Sequence, residues 1–252
     1  MIRLKFEPRL YNPPWVNVLI PVAAVIFGLL AGGVLFAFLG VNPLKAYHEV
    51  LKGALGSSYG ISEIVTKAIP LTLTALGGLI CYKMLVWNIG GEGQLCLGAI
   101  ATVAVVRYFP VDNWVVMFVM MFAAGAAAGG LWCMLAGVLK ARWNVNETIT
   151  TLMLNYIGIN LSEYFIYGPW KDPMSMGFPF TPNFPDAARL WVFGNTRIHG
   201  GIFIALAIAV VFQIILKRSK WGYEISVIGE NPRAARYAGI DIALCSFLFL
   251  AF

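Results

Sequence analysis

Apolar residues along this chain gather into long uncharged runs, set apart by shorter polar connections. Residues 15–40 contain no charged side chain over 26 positions, and at 1.5 Å per residue such a helix spans the ~30 Å hydrocarbon core of a bilayer. The next stretch, 41–67, carries Lys45, Glu49, Lys52, Glu63 and Lys67. It is too polar to span and too apolar for a simple loop, which predicts an amphipathic helix in the outer interface. Residues 68–109 leave room for two short spans of ~20 residues, interrupted by KMLVWNIGGEGQL. Further spans are expected at 114–139, 148–167 and 198–216. Residues 168–197 hold five prolines and read as an ordered external loop, since such backbone cannot cross lipid. Residues 217–241 form a long polar connection, and 242–252 begin a seventh span. Those last 11 residues are too few to cross, so the natural protein is expected to continue.

Composition gives the same class. Hydrophobic residues make up 60% and charged residues 12%, against about half and a quarter in a soluble domain. A soluble chain of this length must still cover its surface with polar groups, so the solvent here is lipid. The expected fold is all-α: a polytopic transmembrane helical bundle of six full spans plus a truncated seventh, one domain over 1–252. Placing the N-terminus in the cytoplasm, with Arg3, Lys5 and Arg9, makes the region around Lys83, residues 140–147 and residues 217–236 cytoplasmic as well. These pieces hold eleven of the 18 Lys and Arg, as the positive-inside rule requires. No cleavable signal peptide is evident, so the first span is expected to be retained. The net charge of +6 is spread over the connections rather than along one stripe, which excludes nucleic acid as a partner.

Cys81, Cys96, Cys133 and Cys245 lie within apolar stretches, without CxxC spacing. Only two histidines, His48 and His199, occur in the chain. Reduced thiols packed as small apolar side chains are expected, with no metal site, cofactor or disulfide framework.

Three polar constellations stand out from the apolar background. In NIGGEGQ (88–94), three glycines free the backbone while Asn88, Glu92 and Gln94 offer polar groups. This is either a tight cytoplasmic turn or a discontinuous helix at membrane depth, and the second placement points to a binding site. In NETITTLMLNY (146–156), Asn146 is the expected helix cap and Glu147 sits at the positive helix end. Asn155 and Asn160 lie further along the same span, where an amide must find a neighbouring helix or a polar solute. Trp87 and Tyr156 stand nearby and could stack on a ring-bearing solute. In GENPRAARYAGI (229–240), Asn231 and Pro232 start a short helix that presents Glu230, Arg233 and Arg236 to a partner, with Ala234, Ala235 and Ala238 as a small-residue face.

These motifs, with GPWKDP at 168–173, occur in an order that resembles permease subunits of the branched-chain amino acid, simple sugar and nucleoside branch of ABC importers. NIGGEGQ is similar to the form found in nucleoside-type permeases that work with basic-membrane-protein lipoproteins; the sugar permeases tend to carry GGIDLS there. The resemblance implies about ten transmembrane helices in a complete member, in the cell membrane. It implies a cytoplasmic ABC ATPase, a second related permease subunit and an external substrate-binding lipoprotein as partners, besides membrane lipid. It also implies that the loop 217–239 carries the coupling helix seated on the ATPase. The substrate path would comprise Asn88, Glu92, Gln94, Asn155, Trp87 and Tyr156, and the coupling site Glu230, Asn231, Arg233 and Arg236.

The function expected is therefore ATP-driven uptake of a small polar solute, a nucleoside first and a sugar or flavin-like heterocycle next. An ion-coupled secondary transporter is the rival, although Glu163 and Glu92 are the only acids within its spans. No nucleophile–base pair or ligand cluster has the spacing of an intramembrane enzyme. The chain has no GxxxxGK[ST] phosphate loop, so ATP hydrolysis is expected on a partner.

Overall fold

The computed structural model describes residues 13–194, 196–242 and 245. Among them the fold is all-helical, with nine α-helices, a single 3-10 turn (Asp186–Ala188) and an isolated bridge between Val192 and His199. Arg3, Lys5 and Arg9 lie outside the described residues, as does most of the expected seventh span. Two compact units are present, residues 1–64 and 65–252.

The first unit contains α1 (Pro14–Phe38) and α2 (Pro43–Leu55). Pro43 fits the first turn of α2, and the Asn42 side chain caps it by accepting from Leu44 N (3.0 Å) and Lys45 N (3.3 Å). Tyr47 ties the two helices together: its hydroxyl donates to the Leu29 carbonyl at 2.6 Å and its ring lies edge-on to Phe36 at 5.5 Å. Gly32 makes room for this contact, because a Cβ there would lie 2.7 Å from the Tyr47 hydroxyl. The stretch expected as one interfacial segment, 41–67, divides. Its first part is α2, and residues 58–67 are the opening turns of α3 (Ser58–Lys83). Ser57 restarts the helix by accepting from Gly60 N at 3.0 Å, and Ser62 donates to the Tyr59 carbonyl at 2.7 Å. Polar residues satisfied within their own helix do not need to stop it.

The second unit is built around α4 (Gly91–Tyr108), α5 (Trp114–Trp143) and α6 (Glu147–Tyr167). Small residues let these helices meet backbone to backbone. A Cβ on Gly98 would lie 3.2 Å from the Gly125 carbonyl oxygen, and one on Gly129 would lie 3.2 Å from that of Gln94. Asn144 ends α5 in the left-handed conformation (φ 51°), and Asn146 caps α6 by accepting from Ile149 N at 3.2 Å. Lys140 and Glu147 close this short connection with an ion pair of 2.9 Å. Burial raises the Glu147 carboxyl, but the Lys140 hydrogen bond, its own backbone N–H and the Lys140 charge outweigh that and hold it below the usual range.

At the other end of α6, Trp170 is buried, stacks on Phe165 at 4.3 Å and donates to the Tyr108 hydroxyl at 3.2 Å. It pins the proline-rich loop to the bundle. Next comes α7 (Gly201–Arg218), followed by α8 (Lys220–Glu230) and the short α9 (Pro232–Tyr237). Ile225, Ile228 and Ala235 of α8 and α9 form an apolar core with Ile80 of α3 and with Met84 just beyond its end.

Among the described residues, four helices are long and apolar enough to cross a membrane: Trp15–Phe38, Ser58–Lys83, Trp114–Trp143 and Gly201–Arg218. Both α4 and α6, expected as spans, fall short of that apolarity because they carry the polar constellations.

Candidate functional site

Helix α3 ends at Lys83, and the chain turns at Leu85, whose φ of 56° is left-handed. Residues 86–90 have no regular structure before α4 begins at Gly91. This break buries Met84 and Gly90 and leaves Leu85, Trp87 and Ile89 exposed. It lies alongside α6, beside Thr151 and Asn155, about 6–12 Å along the axis from the α6 start. Backbone N–H groups at such a break lack helical partners and must be satisfied from elsewhere. Here α6 supplies them: the Thr151 hydroxyl accepts from Ile89 N at 3.1 Å, and Asn155 Oδ1 accepts from Gly93 N at 2.5 Å. Thr151 is fully buried and Asn155 is buried as well. The approach is possible because both facing positions are glycine. A Cβ on Gly158 would lie 2.9 Å from the Gly93 Cα, and one on Gly93 would lie 2.7 Å from the Asn155 Cα.

Asn88 organises the break from within. Its Oδ1 accepts from Gly90 N at 2.8 Å, while its Nδ2 donates to Gln94 Oε1 at 3.3 Å and lies 3.4 Å from Cys133 Sγ on α5. Asn88 and Gln94 are therefore brought together, half-buried. Asn155 joins the same break through Gly93, but its carbonyl oxygen is occupied there. Glu92 is exposed on the first turn of α4. A cavity of about 220 Å³ opens beside the break, lined by Gly78, Tyr82, Leu85, Val86, Trp87 and Asn88. Tyr82 and Trp87 meet edge-to-face at 6.2 Å on its wall. Glu92, Gln94, Asn155 and Tyr156 do not line it. Asn160 is exposed and donates to the Tyr156 carbonyl of its own helix at 2.7 Å.

Sequence reasoning missed Thr151, Gly158 and Cys133. The first two were legible in principle: Thr151, Asn155 and Gly158 recur at helical spacing as one small and polar stripe. Cys133 joins through a fold contact that no local pattern announces.

The third constellation, residues 229–240, folds as a capped elbow. Asn231 Oδ1 accepts from Arg233 N (3.0 Å) and Ala234 N (3.2 Å), while Glu230, Arg233 and Arg236 are exposed. The expected small-residue face is split, for Ala235 is wholly buried against the α3–α8 core and only Ala234 and Ala238 face outward.

Residues 60–252 match the family described as "Branched-chain amino acid transport system / permease component". The chain belongs to this permease family. The permease is 34% identical to the "Glucose ABC transporter permease protein TsgB13" of Haloferax volcanii, over 95% of this chain and 66% of that protein. It is 32% identical to the "Guanosine ABC transporter permease protein NupP" of Bacillus subtilis, over 90% of this chain and 65% of that protein. Against the "Nucleoside ABC transporter permease protein NupB" of Lactococcus lactis the identity is 31%, over 89% and 64%. The permease thus spans just under two thirds of the length of these curated relatives. No solved structure matches it. Family membership and the apolar helices make it a multi-pass membrane protein.

Proposed function

We propose that the permease lines the membrane path of an ATP-driven importer, and that its solute is a nucleoside. The observation that carries the solute class is the juxtaposition at the helix break: the Tyr82–Trp87 ring pair and the Asn88 amide on one cavity wall. Aromatic faces suit a planar base, and an amide offers both a donor and an acceptor to its polar edge. Glu92, Gln94 and Asn155 complete the path, with Asn155 acting through the backbone of Gly93 and Tyr156 flanking it. Two of the relatives cited are named for guanosine or nucleosides. TsgB13 is named for glucose, so a sugar is the second reading, and a flavin-like heterocycle follows.

In this reading α4 and α6 also cross the membrane, making six spans and the start of a seventh. Polar groups inside them are tolerated because they face each other and the path rather than lipid. The N-terminus, residues 140–147 and residues 217–239 are cytoplasmic, and residues 168–197 are external. A cytoplasmic ABC ATPase docks on α9 through Glu230, Arg233 and Arg236, held in shape by the Asn231 cap. A second permease subunit and an external binding lipoprotein complete the assembly.

Uptake by the complete transporter in proteoliposomes tests the solute. Guanosine uptake is expected to require ATP and to be blocked by adenosine but not by glucose; competition by glucose and not by adenosine would replace the nucleoside with a sugar. Topology is tested by labelling from outside, which is expected to mark Ser175→Cys but not Ser219→Cys.

A further inference from the structure

The break at residues 84–90 is fastened at its two ends to different helices. At its start, the end of α3 is seated on α8. A Cβ built on Gly229 would run into the carbonyl oxygen of Lys83, and it would also meet the Met84 Cα at 3.7 Å. Only glycine permits this backbone contact, because a carbonyl oxygen cannot swing aside as a flexible side chain can. Around it, Ile80 and Met84 share a core with Ile225, Ile228 and Ala235. Thus the end of α3, α8 and α9 form one packed piece. At its far end, the break is held to α6 by the Ile89–Thr151 and Gly93–Asn155 hydrogen bonds.

Leu85 stands between the two fastenings, and its positive φ is unfavourable for any residue with a Cβ. Its side chain is exposed and lines the cavity, so core packing does not hold it there. A strained, unpacked residue between two packed pieces is where a small displacement is most readily absorbed.

We infer that Gly229 and Leu85 are positioning residues for transport. Gly229 seats the α8–α9 elbow on the end of α3, and Leu85 is the hinge about which that piece turns against α4–α6. Displacement of α9 is thereby delivered to Asn88 and the cavity wall. This rests on the reading of α9 as the ATPase-docking helix.

The test uses the complete transporter, with full-length permease, reconstituted in proteoliposomes. ATPase co-purification, ATP hydrolysis, and guanosine and glucose uptake are measured together. Leu85→Gly removes the side chain and its backbone strain without touching either fastening. The ATPase is expected to stay bound while, at saturating guanosine, solute moved per ATP falls about fivefold. Because Leu85 also lines the cavity, a fall seen only at subsaturating guanosine, with the wild-type ratio at saturation, marks a binding defect and overturns the hinge. Gly229→Ala is expected to give a larger fall with the ATPase still bound. A merely structural role would lower yield and both activities together, leaving their ratio unchanged. If Gly229→Ala fails to insert, Leu85→Gly decides alone, and a wild-type ratio in Leu85→Gly overturns the hinge. The docking reading is judged separately by Arg233→Glu with Arg236→Glu. Loss of the ATPase from that variant beside normal coupling in Leu85→Gly sinks the hinge alone; an ATPase that stays bound and solute-stimulated removes the docking reading and the hinge with it.

Discussion

Helices α1 and α6 are of similar length but reverse the usual relation between apolarity and burial. The first is apolar on every side, and within its own unit no residue of its most apolar stretch is buried. The second carries Thr151, Asn155 and Gly158, and these are its buried residues. In water the more apolar helix would be the one hidden. In lipid, apolar side chains are already solvated, whereas each unpaired amide or hydroxyl costs kilocalories, so polarity drives a helix inward. The glycines follow the same division. Within its own unit a Cβ on Gly28 of α1 would touch nothing within 4 Å, whereas one on Gly158 would collide with the backbone of Gly93.

Glycine substitutions should break this contrast most sharply. Gly158→Leu is expected to cost about 3 kcal/mol or more, because it must push α6 off the break. Gly28→Leu should stay within about 0.5 kcal/mol. Thermal unfolding in detergent compares the two, and equal losses would dissolve the distinction between the helices.

Next in size is the pair of asparagines on α6. Asn155→Leu leaves Gly93 N–H buried without an acceptor, an expected cost of about 1–3 kcal/mol. Guanosine uptake should fall with it while the ATPase remains bound. Asn160→Leu should be neutral within about 0.5 kcal/mol, since that side chain only turns back on its own helix. Normal uptake by Asn155→Leu would remove it from the path.

A finer probe is Thr151→Val, which keeps the shape but deletes the acceptor for Ile89 N–H. Hydrogen exchange at the Ile89 amide should accelerate about tenfold, for a loss near 1.4 kcal/mol, and Thr151→Ser should restore it. The smallest effect is expected where α6 leaves the bundle, at the Lys140–Glu147 pair. Its carboxyl is held low in the folded protein. The advantage of wild type over Glu147→Gln is therefore present above the ordinary carboxylate pKa of about 4.3 and lost as pH falls through the lower folded value. For a pair this close to solvent, about 1 kcal/mol or less is expected, read from melting temperatures across pH.

Much of this was legible before the fold was known. Asn146 and Asn231 are the expected helix starts, and each accepts from the first N–H groups of its helix, because capping depends on residues two or three apart. Asn42 and Asn113 cap in the same way. The boundaries read from polarity were less sound. Residues 58–67 look interfacial yet continue α3, since Ser62 finds its acceptor within the helix. The alanines of α9 look like a docking face, yet Ala235 turns inward to a core that includes Ile80, about 150 positions earlier in the chain.

By itself, then, the sequence determined the solvent, the helical class, the caps and the places where polarity needs an answer. These follow from composition and from interactions a few residues apart. Only the tertiary structure decided who gives that answer: Asn155 serves Gly93, Thr151 serves Ile89, and Gly229 meets Lys83. A buried polar group specifies that a partner must exist but not which one, because many donors and acceptors have the right chemistry. The choice is made when glycines on separate helices allow two backbones to touch.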